Sequence, residues 1–226
     1  MTAGPHVEAV VAAFSASANP EKAVGMRAYM KNQFPFWGLT APERTALLRQ
    51  CWAGLAPLDE EDLVTAVKAL WVLPEREYQY AGVALLRSHL RRAGPGLVTL
   101  AEALIIDKSW WDTVDELASH VVGPLVLRYP ELRIDVERWI DSDNLWLART
   151  AIIHQNGYKD RTDADLLFDY CLRRADEKDF FIRKAIGWAL REYSKTDPDA
   201  VRAFVAQHES LLSGLSRREA LRRIPA

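Results

Sequence analysis

The residues best able to do chemistry stand together in Lys108-Ser109-Trp110-Trp111-Asp112-Thr113-Val114-Asp115, where two adjacent indoles adjoin two carboxylates. Ser109 is of a type that caps helices. A helix beginning there sets Trp111 and Asp115 four residues apart on one face. An aromatic plane beside an anion suits a flat ligand that carries, or develops, positive charge. Asp112 falls in the first turn, where a carboxylate meets the positive end of the helix dipole.

Three further segments carry the same mixture of aromatic and charged residues: Ser142-Asp143-Asn144-Leu145-Trp146-Leu147-Ala148-Arg149, the run from Asp179 through Phe180, Phe181, Arg183, Lys184, Gly187 and Trp188 to Arg191 and Tyr193, and Arg27-Ala28-Tyr29-Met30-Lys31-Asn32-Gln33-Phe34. A Trp in a helical protein is usually core, and Trp71, Trp110 and Trp146 are read that way. Trp188 follows Gly187 and precedes Arg191 by three residues, on a face that tends polar. The plain alternative for Asp115 is an exposed helical carboxylate. For Arg149 it is a pair with Asp143 or a neighbouring acid, which at a surface contributes about 0–1 kcal/mol.

The elements that must position these residues are helices. Alternating β-branched runs are nearly absent, while apolar residues recur at i, i+3 and i+4. Capping residues, early prolines and first-turn acids recur, as in Asn19-Pro20-Glu21, Thr40-Ala41-Pro42-Glu43, Leu73-Pro74-Glu75, Tyr129-Pro130-Glu131 and Asp197-Pro198. About a dozen helices follow, of about 10–18 residues each. Similar helices are expected to begin near Thr40, Pro74, Ser109, Asp143, Asp179 and Ser216, a spacing of about 34–37 residues, the range of two-helix solenoid repeats. Several carry an early basic residue before small and apolar positions: Arg44-Thr45-Ala46-Leu47, Arg149-Thr150-Ala151-Ile152 and Arg183-Lys184-Ala185-Ile186. The expected fold is therefore all-α, a superhelical solenoid of tandem two-helix repeats filling 1–226 as one domain, with the equivalent helix of each pair on a concave face. A compact helical bundle is the alternative.

Composition narrows the classes. About half of the 226 residues are apolar, enough for a sizeable core. No apolar run reaches transmembrane length, and the N-terminus lacks a signal-peptide pattern. Cys51 and Cys171, isolated and far apart, suit a reduced cytoplasmic protein. The five scattered histidines form no zinc-ligand pair, and no P-loop or GxGxxG is present, so neither a metal nor an organic cofactor is expected. The net charge of −2 does not itself suggest nucleic acid. Yet 21 of the 29 cations are Arg, the better side chain for forked phosphate contacts, and Arg217, Arg218, Arg222 and Arg223 cluster near the C-terminus.

The strings KSWWDTVDELA, SDNLWLARTAI, FFIRKAIGWALREY, YMKNQFPFWGL and LSRREAL, taken in order from about Asn19 to Arg223, resemble the AlkD family of bacterial alkylpurine DNA glycosylases. The resemblance implies HEAT-like helical pairs wrapped around duplex DNA. It implies that Trp111 and Asp115 are catalytic, that Trp188 completes an aromatic cleft, that Arg149 holds DNA near the lesion and that Tyr29 contacts the backbone. It further implies cleavage without flipping the base into a protein pocket. Lys31, Thr40, Arg44, Arg183, Lys184, Arg191 and Arg218 are further phosphate-contact candidates by helix face, and Thr40 reads equally well as an ordinary N-cap. The expected function is a monofunctional glycosylase, acting as a monomer on N3- and N7-alkylated purines in double-stranded DNA within the bacterial cytoplasm. A non-catalytic relative that binds branched or distorted DNA, and a protein-binding helical adaptor, are the competing readings.

Overall fold

The computed structural model describes residues 4–224, and these are helical with no strand. Packing divides the chain into two compact units that meet in sequence between Gly94 and Pro95. The first contains α1 (Pro5–Ala16), α2 (Pro20–Tyr29), α3 (Ala41–Cys51), α4 (Glu60–Trp71) and α5 (Arg76–His89). The second contains α6 (Leu97–Ile106), α7 (Trp111–Leu117), α8 (Gly123–Arg128), α9 (Arg133–Ile140), α10 (Leu145–Ile153), α11 (Ala164–Arg173), α12 (Phe180–Tyr193), α13 (Pro198–Gln207) and α14 (Gly214–Leu221). The described helices run from 6 to 14 residues; most fall within the expected length, and α7, α8, α9, α10 and α14 are shorter.

Local chemistry sets the starts. Asn19, Asp59, Asn144, Asp163, Asp179, Asp197 and Ser213 each accept a backbone N–H of the first turn on their side chain, as Ncap residues do. Four expected starts move, that of α5 by one residue from Pro74 to Glu75. Ser109 does not cap α7; its hydroxyl donates back to the Ile105 carbonyl at 2.6 Å, at the end of α6, and Trp110 holds the cap position. Asn144 rather than Asp143 caps α10, because its carboxamide oxygen reaches the Trp146 and Leu147 N–H groups. Ser213 rather than Ser216 caps α14, and Ser216 is buried.

With these caps in place the repeat sharpens. Thr40, Glu75, Trp110, Asn144, Asp179 and Ser213 are the N-caps of α3, α5, α7, α10, α12 and α14, and successive caps lie 34 or 35 residues apart. The same period governs tertiary contacts inside the second unit. Arg138 pairs with Glu102 across 36 residues, Tyr170 donates to Glu137 across 33, Arg174 donates to the Ile140 carbonyl across 34, and Ser216 donates to the Arg183 carbonyl across 33. Each repeat is thus clamped to the next at matching positions, as tandem helical pairs require.

The core of the second unit runs along these helices through Val114, Leu117, Val121, Leu125, Val136, Trp139, Ile153, Ile186 and Leu190, all at most 1 % exposed. Residues Ala118–Val122 form a π turn between α7 and α8. Pro124 follows it, with no N–H to return to the preceding turn. Gly123 lets α8 approach α10: a Cβ there would lie 2.2 Å from the His154 carbonyl oxygen. The Tyr158 hydroxyl closes the same junction by donating to the Gly123 carbonyl at 2.6 Å.

Candidate functional site

Asp115 and Arg149 each lie five residues beyond the cap of their own helix, Trp110 and Asn144. Equivalent positions in stacked repeats are neighbours, so the two side chains meet. Arg149 Nε donates to Asp115 Oδ1 at 2.6 Å and Nη2 donates to Oδ2 at 2.8 Å, a two-point fork on the carboxylate. The third arm, Nη1, donates to the Phe181 carbonyl in the first turn of α12. The pair therefore ties α7, α10 and α12 together. Arg149 is 5 % exposed and the Asp115 side chain 15 %. Burial pushes the Asp115 carboxyl above the ordinary carboxylate range, while the two bonds from Arg149 oppose it. Both carboxylate oxygens accept from one guanidinium, which is the geometry of an ion pair.

An aromatic wall backs the pair. Trp110, Trp146 and Phe181 pack with ring centroids 5.0–5.8 Å apart, and the Phe181 ring lies 6.0 Å from the Arg149 guanidinium. Trp71 is core as expected, at 2 % exposure, but Trp110 and Trp146 are only half-buried. Phe180, next in the same wall, is 58 % exposed. Trp111 opens α7 one turn before Asp115 and is half-buried, as is Trp188 on α12.

The cationic candidates divide sharply. Arg149, expected to hold DNA, has its fork directed at Asp115 and Phe181; a guanidinium so buried does not reach a phosphate in this conformation. Arg183 donates through Nε to the Glu177 carbonyl at 2.8 Å. Lys184 and Arg191 both pair with Glu219 of α14. Burial alone would raise the Glu219 carboxyl, but the bonds from these two cations outweigh it and hold it below the usual range. Arg218 is exposed.

In the first unit, Tyr29 is 69 % exposed at the end of α2, and Lys31 is exposed in a left-handed turn with φ 55°. Arg44 is half-buried; it donates to the Leu39 carbonyl at 2.8 Å and lies 4.3 Å from the Tyr80 ring centroid. Thr40 is an N-cap whose N–H and hydroxyl both donate to the Glu43 carboxylate, at 2.8 and 2.7 Å. That carboxylate also takes Lys22 Nζ at 2.6 Å, and the bonds from Lys22 and Thr40 pull it down to about 2. This helix start already holds an anion of its own, so the capping reading of Thr40 describes it. Sequence reasoning missed two fully buried neighbours. Glu77 accepts the N–H groups of Trp37, Gly38 and Leu39, and Arg76 stacks 3.8 Å over Phe34. Both belong to the YMKNQFPFWGL segment's anchorage; a charged Arg-Glu dipeptide opening an apolar helix was their only signal.

Among the described residues no three His, Cys, Asp or Glu side chains are grouped to hold a metal ion, and no helix is long and apolar enough to cross a membrane.

A stack of helical pairs with a carboxylate held by a neighbouring repeat, beside half-buried indoles, defines an α-helical repeat protein with an aromatic and anionic site. Residues 10–224 match the sequence pattern of the DNA alkylation repair enzyme family, and the chain belongs to that family. Its fold is similar to that of a predicted DNA alkylation repair enzyme from Enterococcus faecalis, with 36% identity and a TM-score of 0.85 over 92% of this chain and 97% of that one. It also resembles smu.31 from Streptococcus mutans UA159, with a TM-score of 0.59 over 89% of this chain and 96% of that one; at 16% identity that likeness concerns the fold alone. No curated protein matches the chain.

Proposed function

We propose that this protein is a monofunctional DNA glycosylase that hydrolyses the N-glycosidic bond of N3- and N7-alkylated purines in duplex DNA, the first step of base excision repair. The observation that carries the reading is the part-buried Asp115 carboxylate, clamped by Arg149 one turn from Trp111, in a chain of the DNA alkylation repair family.

Alkylation at N3 or N7 makes the purine cationic. When the C1′–N9 bond breaks, its electron pair goes to N9 and the base leaves neutral, so little acid catalysis is needed. The sugar left behind is oxocarbenium-like. A fixed carboxylate stabilises that charge and accepts a hydrogen bond from the water whose oxygen bonds to C1′; the water's proton passes to solvent. Asp115 is the group with that role. Its fork with Arg149 takes one bond on each carboxylate oxygen, which leaves each oxygen able to accept another, and the side chain keeps 15 % exposure through which a sugar or water can meet it. Arg149 acts by keeping Asp115 ionised and oriented. Trp111 and Trp188 are the indoles that flank the cationic nucleotide, and a desolvated contact of this kind contributes about 2 kcal/mol.

Selectivity then comes from the lesion's charge and lability, which fits cleavage with the base left in the helix stack. Tyr29, Lys31, Arg44, Arg183, Lys184, Arg191 and Arg218 are the backbone contacts in this reading, within one DNA-binding domain over 1–226. Binding falls steeply with salt. No metal or organic cofactor takes part, and the enzyme works as a monomer in the bacterial cytoplasm, where its substrate lies. The test is release of methylated purine from methylated duplex DNA. Wild type should release it and Asp115→Asn should lose most of that activity; no release by the wild type, or equal release by both, would overturn the assignment.

A further inference from the structure

Lys184, Gly187 and Arg191 fall at i, i+3 and i+7 of α12 and share one face. The glycine is a notch in a basic stripe. A Cβ at Gly187 would lie 2.5 Å from the Glu219 Cβ and 2.9 Å from the Ser216 carbonyl oxygen, so α14 enters this notch backbone-first. The Ser216 hydroxyl fixes it there by donating to the Arg183 carbonyl at 3.0 Å. Glu219 is thereby delivered between the two cations. Its Oε1 lies 3.1 Å from Lys184 Nζ, and its Oε2 accepts from Arg191 Nη1. The three side chains are 34 %, 21 % and 14 % exposed for Lys184, Arg191 and Glu219, so the carboxylate is the most enclosed of them and both cations keep some contact with solvent.

A carboxylate bridging a Lys and an Arg presents what a phosphodiester presents: one negative charge and two acceptor oxygens. The stripe thus carries two positive charges and one built-in negative charge. We infer that Glu219 is an internal competitor for DNA backbone phosphate, occupying the slot between Lys184 and Arg191 and so weakening the protein's hold on undamaged duplex. The inference rests on the DNA reading above and adds a residue to it that sets discrimination. An enzyme that must leave undamaged sites benefits when sequence-independent attraction is reduced while contacts at the lesion are untouched.

The test is titration of the full-length protein with a short, fluorescently labelled, undamaged duplex, comparing wild type with Glu219→Gln and Glu219→Met at several salt concentrations. Removing the competing charge restores roughly one phosphate contact. The slope of log K against log salt should steepen by about 0.9, equivalent to an extra three- to fourfold loss of affinity between about 50 and about 200 mM salt. At the lower concentration the neutral variants should bind tighter than wild type by several-fold. Equal or weaker binding by a neutral variant that melts within a few degrees of wild type would overturn the inference. If both neutral variants melt far below wild type, Glu219 is a structural strut and the inference is likewise lost. A wild type that shows no salt-dependent duplex binding is the separate failure, that of the DNA reading itself.

Discussion

Replacing Arg149 with Ala removes three directed bonds at once, two to Asp115 and one to the Phe181 carbonyl. At 5 % and 15 % exposure the ion pair has little solvent to screen it or to replace it. Breaking a buried pair by deleting one partner costs about 3–5 kcal/mol, because the other charge is left uncompensated. The variant can lower that penalty by protonating Asp115, whose carboxyl is already pushed up by burial. Without the opposing guanidinium its folded-state value rises further above the unfolded one. A carboxyl with a raised folded value contributes most stability below the unfolded value and loses it as pH rises through the folded one. The deficit of Arg149→Ala against wild type should therefore be smaller at about pH 4 and should grow towards about pH 8. Urea denaturation of both proteins across that range measures it directly. Adding Asp115→Asn to Arg149→Ala should recover a large part of the loss, since a neutral amide need not be ionised there. A neutral-pH deficit below about 0.5 kcal/mol, the size expected of an unremarkable surface change, would refute the argument, and so would a deficit independent of pH or strict additivity in the double variant. On the proposed function, base release by Arg149→Ala should also fall, with its pH profile shifted upward as Asp115 ionises later.

Two other predictions concern the scaffold. His154 is 2 % exposed, with Nδ1 2.7 Å from the Ala151 carbonyl, and burial holds it down to about 4 from an ordinary 6.5. Its depressed value means the unfolded chain takes up the proton first. Stability should be fully present above about pH 6.5 and decline as pH falls towards about pH 4, by about 3 kcal/mol in all from this group; His154→Gln should flatten that limb of the pH–stability curve, and an unchanged slope would sink the claim. Gly123→Ala puts a methyl 2.2 Å from a backbone oxygen of His154, so α8 and α10 must separate; a loss of about 1–3 kcal/mol in urea denaturation is expected, and a variant as stable as wild type would show that the junction yields freely.

The sequence by itself determined the helices and their period. Asp179, Asn19 and Asp163 cap because a short side chain with an acceptor oxygen at a helix start can satisfy a first-turn N–H that has no partner within the helix, and that preference is local. The period of the caps was legible for the same reason, as were Trp111 and Asp115 as one-face neighbours and the family likeness in the WWD, SDNLWLAR and AIGW strings. Where two local signals competed, the sequence did not say which would win: Ser109 donates its hydroxyl four residues back to the Ile105 carbonyl instead of capping α7, leaving Trp110 at the cap. The partners of the charges were not legible at all. Arg149 could equally have reached Asp143 or solvent; it meets Asp115 because two repeats stack in register and bring equivalent positions together across 34 residues. Lys184 and Arg191 read as free cations in the sequence and are joined to Glu219 only because Gly187 lets α14 come close. Helix formation is decided by a residue and its near neighbours, whereas which ions pair depends on the distance and dielectric that packing creates.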